Sequence, residues 1–382
     1  MKQKILGLTL LLIMLQFEIQ CQPRTSDVDV FLKSVVFVNE PVIRTEKING
    51  QDYEIYLRKK STQNLEPWIE YKTGTAFFIA MDLDLYLVTA EHVAKNTSLN
   101  TSLVFSSKSD NPIVVQLRDI LVDRANSAND LGWTDHPEAD ISAIRVNLEI
   151  LPDSINISPI PYEWVYYNLD APQRQVEITA YGFPLSYPLK LGPKSKFSPV
   201  TKTYKAASGL IDMTRFDNGK ISTFYLVDDP SVSGLSGSPV IALPHTISKG
   251  YTTVGKKEEI YVNTFWLMGI VHGTISDKTG GYGAITPSIY IAETIELAPG
   301  FDGVYTYKYN DGKLWSIREY KNGKPWTVIS NLNRRGESQE MGTLKNGDGS
   351  LYIYDEFGNL EVIQHYKNGH VDKTQLIVKK TE

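Results

Sequence analysis

From about Val28 to Ile295 the chain alternates short apolar runs with clusters of Gly, Pro, Asn and Asp. The runs are SVVFV (34–38), TAFFIA (75–80), LYLVTA (85–90), ISAIRV (141–146), VEITAYG (176–182), STFYLV (222–227) and FWLMGIV (265–271). Each is short, rich in β-branched and aromatic residues, and bounded by turn formers, so each predicts a β-strand. Helical periodicity is scarce. One candidate, PSIYIAETIEL (287–297), is placed to close the domain. The Pro- and Tyr-rich stretch 151–173 separates two groups of strands. Many short strands in two groups predict a mainly β chain built of two antiparallel β-barrels, about 28–150 and 174–298.

The pattern changes near Phe301. Turn glycines recur at a near-constant interval at Gly312, Gly323, Gly336, Gly347, Gly358 and Gly369, and EYKNGK (319–324) returns as HYKNGH (365–370). Alternating aromatic stretches such as VYTYKY and SLYIYD lie between them. Asn/Asp-Gly turns at a fixed period predict β-hairpins over 301–382. This stretch resembles the MORN-like repeats of the YwqK type; a β-meander capping the first domain is the alternative.

The N-terminus reads as a targeting segment over 1–21. Lys2 and Lys4 precede the apolar run Ile5–Leu15, which is too short to span a bilayer and suits a signal-peptide core. Cys21 follows shortly after. It resembles the lipidated first residue of a bacterial lipoprotein, although Glu18 and Gln20 depart from the small residues expected there. Lipid anchoring at Cys21 and plain secretion both place the mature chain outside the cytoplasm, in the envelope or beyond it. Any membrane association is expected through that anchor alone.

Composition narrows the partners. The 382 residues carry 39 Lys plus Arg against 44 Asp plus Glu, a net charge of −5, with no dense basic run. That argues against nucleic acid as a partner. A single cysteine rules out a disulfide within the chain, so stability must come from buried apolar surface.

The chemistry concentrates in SGLSGSPV (233–240). A serine hydroxyl is a weak nucleophile and needs a neighbouring base. It also needs backbone N–H groups aimed at the oxyanion that forms on attack. Gly234, two residues before Ser236, lets the chain turn so that the N–H groups of Gly234 and Ser236 converge. Gly237 leaves room for substrate. His92, directly after the strand LYLVTA, is the candidate base. Asp140, ahead of the apolar run ISAIRV, is the candidate partner, because an unpaired carboxylate buried there would be costly. His136 lies four residues before Asp140 without an evident third ligand, so no metal is expected, and no cofactor.

VTAEHVA, ADISAIRV and GLSGSPV, in that order, resemble the trypsin/chymotrypsin-like serine proteases, nearest to the bacterial secreted and Deg-type members. The resemblance covers about Val28 to Glu296. It implies two six-stranded barrels with His92, Asp140 and Ser236 in the cleft between them, and a protein or peptide as substrate. It further implies that Pro230 and Ser231 line the base of a specificity pocket, with His272 and Gly273 on the strand that pairs with substrate. AYGFP (180–184) and GGYGAITPS (280–288) resemble further strands of the second barrel. Pro230 rather than a carboxylate at the pocket base favours an apolar side chain, with Asp229 reaching it only if the loop shifts. Glu91 and Val93 replace the usual flanks of the histidine; Glu91 is expected to face solvent. No zymogen-activation motif is present. The rival function is a catalytically silent scaffold binding an envelope or protein partner through the C-terminal hairpins; another hydrolase, such as an esterase, is the third.

Overall fold

The computed structural model describes residues 25–49, 51–58, 65–122, 131–149, 151–155, 157–184, 196–215, 217–242, 245–251, 257–262, 265–276, 280–309, 311–355 and 357–377. The expected signal segment and Cys21 lie outside the described residues. Among these residues no helix is long and apolar enough to cross a membrane. The chain divides into two compact units. The larger comprises Pro23–Ala80 and Leu85–Ala298; the smaller contains Met81–Asp84 and Pro299–Glu382.

The larger unit opens with helix α1 (Thr25–Ser34) and then holds two sheets. The first is eight-stranded: β1 (Val35–Ile43), β2 (Ile69–Met81), β3 (Asp84–Thr89), β4 (Ser102–Ser106), β5 (Pro112–Gln116), β6 (Thr134–Asp135), β7 (Ser142–Arg145) and β8 (Ile160–Pro161). Its order is β6-β7-β3-β2-β1-β4-β5, with β8 parallel to β2. After β5 the chain makes one turn of helix (Leu117–Ile120), then Leu121 bridges Val146 just past β7 and the Asn147 amide donates to the Ile120 carbonyl at 2.7 Å.

The second half closes fully. Strands β9 (Glu177–Gly182), β10 (Val200–Thr214), β11 (Ile221–Val227), β12 (Pro239–Ala242), β13 (Trp266–Ser276) and β14 (Gly281–Pro287) form a six-stranded barrel in the order β9-β10-β11-β14-β13-β12. The closing helix predicted over 287–297 is present as Ile289–Leu297.

The apolar runs are continuous rather than alternating because both faces of β1 and β2 are covered. Val36, Val38, Ala76 and Phe78 point into the first core with Leu87, Leu103 and Phe105. On the opposite face, Phe37 meets Phe183 at 5.7 Å and Phe197 at 6.1 Å, both from the second half. Phe31 of α1 packs against Trp164, Tyr181 and Phe265. Each such ring contributes about 2–3 kcal/mol of burial, so the two halves share a hydrophobic seam. The helix carrying Phe31 was not foreseen.

In the smaller unit two three-stranded antiparallel sheets follow one another: Gly303–Lys308, Leu314–Lys321 and Lys324–Asn331, then Gly349–Tyr354, Leu360–Lys367 and His370–Leu376. All six recurrent glycines have positive φ. Asn322, Asn346 and Asn368, each directly before one of them, also have positive φ, the backbone of a type I′ turn. Asp302 and Asp348 accept from the amides of Asn322 and Asn368 respectively, so the two sheets use the same device at equivalent places. The stretch between the sheets holds only isolated bridges, among them Leu332–Ser338 and Gly342–Leu351.

Candidate active site

The base candidate sits on the single helical turn Glu91–Ala94 that caps β3. Asp140 sits on the loop before β7. That loop is tightly held: the amides of Glu138 and Ala139 donate to Nδ1 of His136, and the other ring nitrogen of His136 meets Glu293 at 2.9 Å. Both ring nitrogens of His136 are thus engaged within the protein.

The loop delivers Asp140, which is fully buried, onto His92. Nδ1 of His92 donates to Oδ2 at 2.8 Å, and the backbone amide of His92 donates to Oδ1 at 3.0 Å. With Nδ1 carrying the proton, the neutral ring presents its lone pair at Nε2. Nε2 has no hydrogen-bond partner among the described residues, and the side chain is 26% exposed. A small cavity of about 70 Å³ opens beside it, lined in part by Lys72, Thr73 and Asn96.

Ser236 lies on the turn before β12. Its hydroxyl donates to the His272 carbonyl at 3.0 Å rather than to His92. The serine and the imidazole nonetheless belong to one locality. A Cβ on Gly74 would stand 2.7 Å from Val93 and 3.3 Å from the Ser236 carbonyl, so only glycine allows both to close on β2. Thr75 then ties the turn down: its amide donates to the Ser236 carbonyl at 2.8 Å and its hydroxyl to the Gly234 carbonyl at 3.0 Å. The neighbouring Gly237 has φ 86°, and a Cβ there would strike the Thr75 carbonyl. Within this turn the amides of Gly234 and Ser236 donate to nothing among the described residues, whereas those of Leu235, Gly237 and Ser238 are all bonded. Two free N–H groups flanking one hydroxyl are what an oxyanion requires.

Three residues that sequence reasoning missed complete the site. Glu91 was expected in solvent; it is buried instead, and this is a correction. Its carboxylate pairs with Lys95 and, at 2.5 Å, with Nη1 of Arg215. Arg215, also buried, donates from Nη2 to Asp140 Oδ1 at 2.8 Å and grips Asp217 through Nε and Nη2. The buried ion pair explains why a glutamate can precede the histidine: its charge is met from the other half of the unit. Nothing in the local sequence around Arg215 signals this. The third is Thr75, a polar residue opening an otherwise apolar run.

Electrostatics follow from this cluster. Burial by itself would raise the pKa of Asp140, but the hydrogen bonds from His272 and His92 outweigh it and hold the carboxyl well below the usual range. Burial pulls the pKa of His92 down; the bond to Asp140, its charge and that of Asp217 pull harder, against the opposing charge of Arg215. The net result is an imidazole above its ordinary value of 6.5.

The pocket residues fall as follows. Pro230 and Asp229 are exposed, and Ser231 is half-buried. Lys202 donates to the Pro230 carbonyl at 2.7 Å and pairs with Asp229 at 3.5 Å. Thr274 donates to the Ser231 carbonyl at 2.8 Å. Gly273 has open space where a side chain would begin. His272 is buried, with its imidazole on Asp140 and its carbonyl under Ser236. One ligand atom from each of His92, Asp140 and His272 lies within 4.8 Å of the others. A cation there would have to displace the two imidazole protons that Asp140 Oδ2 already accepts.

No family model matches the chain, and no curated protein matches it. Among solved structures it is similar to the MamO protease domain of Magnetospirillum magneticum in its apo form, at 11% identity and a TM-score of 0.36, covering 70% of this chain and 97% of that one. It is similar to an inactive form of the Rv3671c protease at 15% identity and TM-score 0.35, covering 73% and 98%. Deg5 matches at 14% identity and TM-score 0.34, over 70% and 90%.

Proposed function

We propose that the larger unit is a serine endopeptidase acting on proteins or peptides. The single observation that carries this reading is the buried Asp140 carboxylate accepting from Nδ1 of His92 while Nε2 stays open. A buried aspartate that fixes the tautomer and stabilises the imidazolium is the requirement for an imidazole acting as a base toward a hydroxyl.

In this mechanism Ser236 turns about χ1 from the His272 carbonyl toward His92. Its oxygen forms a bond to the substrate carbonyl carbon as its proton passes to Nε2. The N–H groups of Gly234 and Ser236 hold the oxyanion. The imidazolium then gives its proton to the leaving amine, the C–N bond breaks and an acyl-enzyme remains. Water repeats the sequence through His92 and releases the acid. Substrate backbone would run along β13 at Gly273, with the carbonyl of His272 freed when Ser236 turns. Pro230 and Ser231 would line the side-chain pocket.

The test is labelling of the full chain by a serine-directed fluorophosphonate, with the modified peptide identified by mass. Modification at Ser236 is expected; a protein left unlabelled there under native conditions overturns the reading. The pH profile is a second check. The base works only when neutral, so kcat/KM rises with pH through the pKa of His92. Because that pKa is raised, the acid limb is expected above 6.5, and a midpoint at or below that value contradicts the described electrostatics.

A further inference from the structure

Asp140 accepts four hydrogen bonds, which fills both oxygens of a carboxylate. His92 supplies two of them. The others come from the second barrel: Arg215, in the turn after β10, on Oδ1 at 2.8 Å, and Nδ1 of His272, on β13, on Oδ2 at 2.5 Å. We infer that Arg215 and His272 are positioning residues for the His92–Asp140 pair, clamping the carboxylate from the opposite barrel so that the base keeps its alignment. The inference rests on the proposed peptidase role of that pair.

His92 alone places one donor on each oxygen, its amide on Oδ1 and its Nδ1 on Oδ2. Arg215 and His272 add a second donor to each from the opposite barrel, so the carboxylate is held against more than the turn that carries the base. His272 is itself held in place. It is 6% exposed, its ring lies 4.8 Å from Phe224 at 35°, and it meets the His92 ring edge-on at 5.5 Å. Two imidazoles therefore share one carboxylate, but their exposures differ, 26% against 6%. The exposed one is the base and the buried one is the brace. Arg215 also ties Asp140 to Glu91, the residue next to the base, so one guanidinium fixes both segments of the pair. The charged groups surrounding His92 are Asp140, Asp217 and Arg215, with Glu91 and Lys95 on its own turn and His272 across the carboxylate.

The brace predicts a direction. Removing a donor leaves Asp140 freer to accept from His92, which favours the imidazolium. The experiment follows the ¹⁵N-histidine signal of His92, identified by its loss in His92→Gln, against pH in the full chain and in variants. In His272→Leu the His92 midpoint is expected to move upward, and kcat to fall about tenfold with KM little changed, as for a misaligned base. His272→Asn, whose amide can donate where Nδ1 did, is expected to recover most of both. Arg215→Lys, which keeps the charge but not the forked geometry, should also move the midpoint upward. If His272→Leu does not fold, Arg215→Lys decides. An unchanged His92 midpoint in the folded variants overturns the inference. Since that signal needs no turnover, a wild-type protein that cleaves nothing would count against the peptidase reading alone.

Discussion

Replacing Ser236 with alanine is expected to abolish hydrolysis of a denatured protein such as casein, with a fall in kcat of about 10⁶-fold, and to end fluorophosphonate labelling. In the proposed mechanism the hydroxyl forms the covalent bond to substrate. The fold should hardly register the change. The Ser236 side chain makes one hydrogen bond, to the His272 carbonyl, and losing it costs about 1 kcal/mol. Thermal unfolding beside the rate measurement therefore separates lost chemistry from lost structure. Residual casein cleavage in purified Ser236→Ala, above the level of a mock preparation, would mean that another group is the nucleophile. An active-site serine acting on esters alone would instead show labelling without casein cleavage in the wild type.

The second large effect is Asp140→Asn. An asparagine amide can present its oxygen to only one side. If the oxygen faces Arg215 and the His92 amide, the NH₂ group confronts the Nδ1–H groups of both His92 and His272. One or both imidazoles must then place the proton on Nε2, where His92 can no longer accept from Ser236. A loss of about 10⁴-fold in kcat is expected. Stability should fall as well, by about 3–5 kcal/mol, because Arg215 keeps its buried charge while losing one of its carboxylates. Denaturant midpoints and steady-state rates on the same preparation measure both. Asp140→Asn retaining a tenth or more of wild-type kcat would remove Asp140 from the mechanism.

Much of this was legible in the sequence because the signals are local. Strand runs such as TAFFIA and FWLMGIV carry their β preference within a few residues, and the Asn-Gly turns of the C-terminal unit announce their positive φ directly. His92 and Asp140 stand at strand boundaries where a polar residue has no packing reason to be. What was not legible depends on distance. Glu91 looks like a surface residue until Arg215, far along the chain, is brought beside it. His272 was expected to serve substrate because it lies on the strand alongside the cleft. That its side chain turns to Asp140 has no signal in the neighbouring residues. The bridge between Leu121, after β5, and Val146, after β7, is a single isolated pairing that no periodicity announces.

The clamp on Asp140 has a consequence for timing. His92 and Asp140 are made 48 positions apart, but the side chains that complete the carboxylate's bonding come 75 and 132 positions after it. A chain emerging in order from the ribosome carries the His92–Asp140 pair long before the scaffold that aligns it. On the proposed mechanism, competence arrives only with the last strands of the second barrel, and fragments ending before them are expected to be inert.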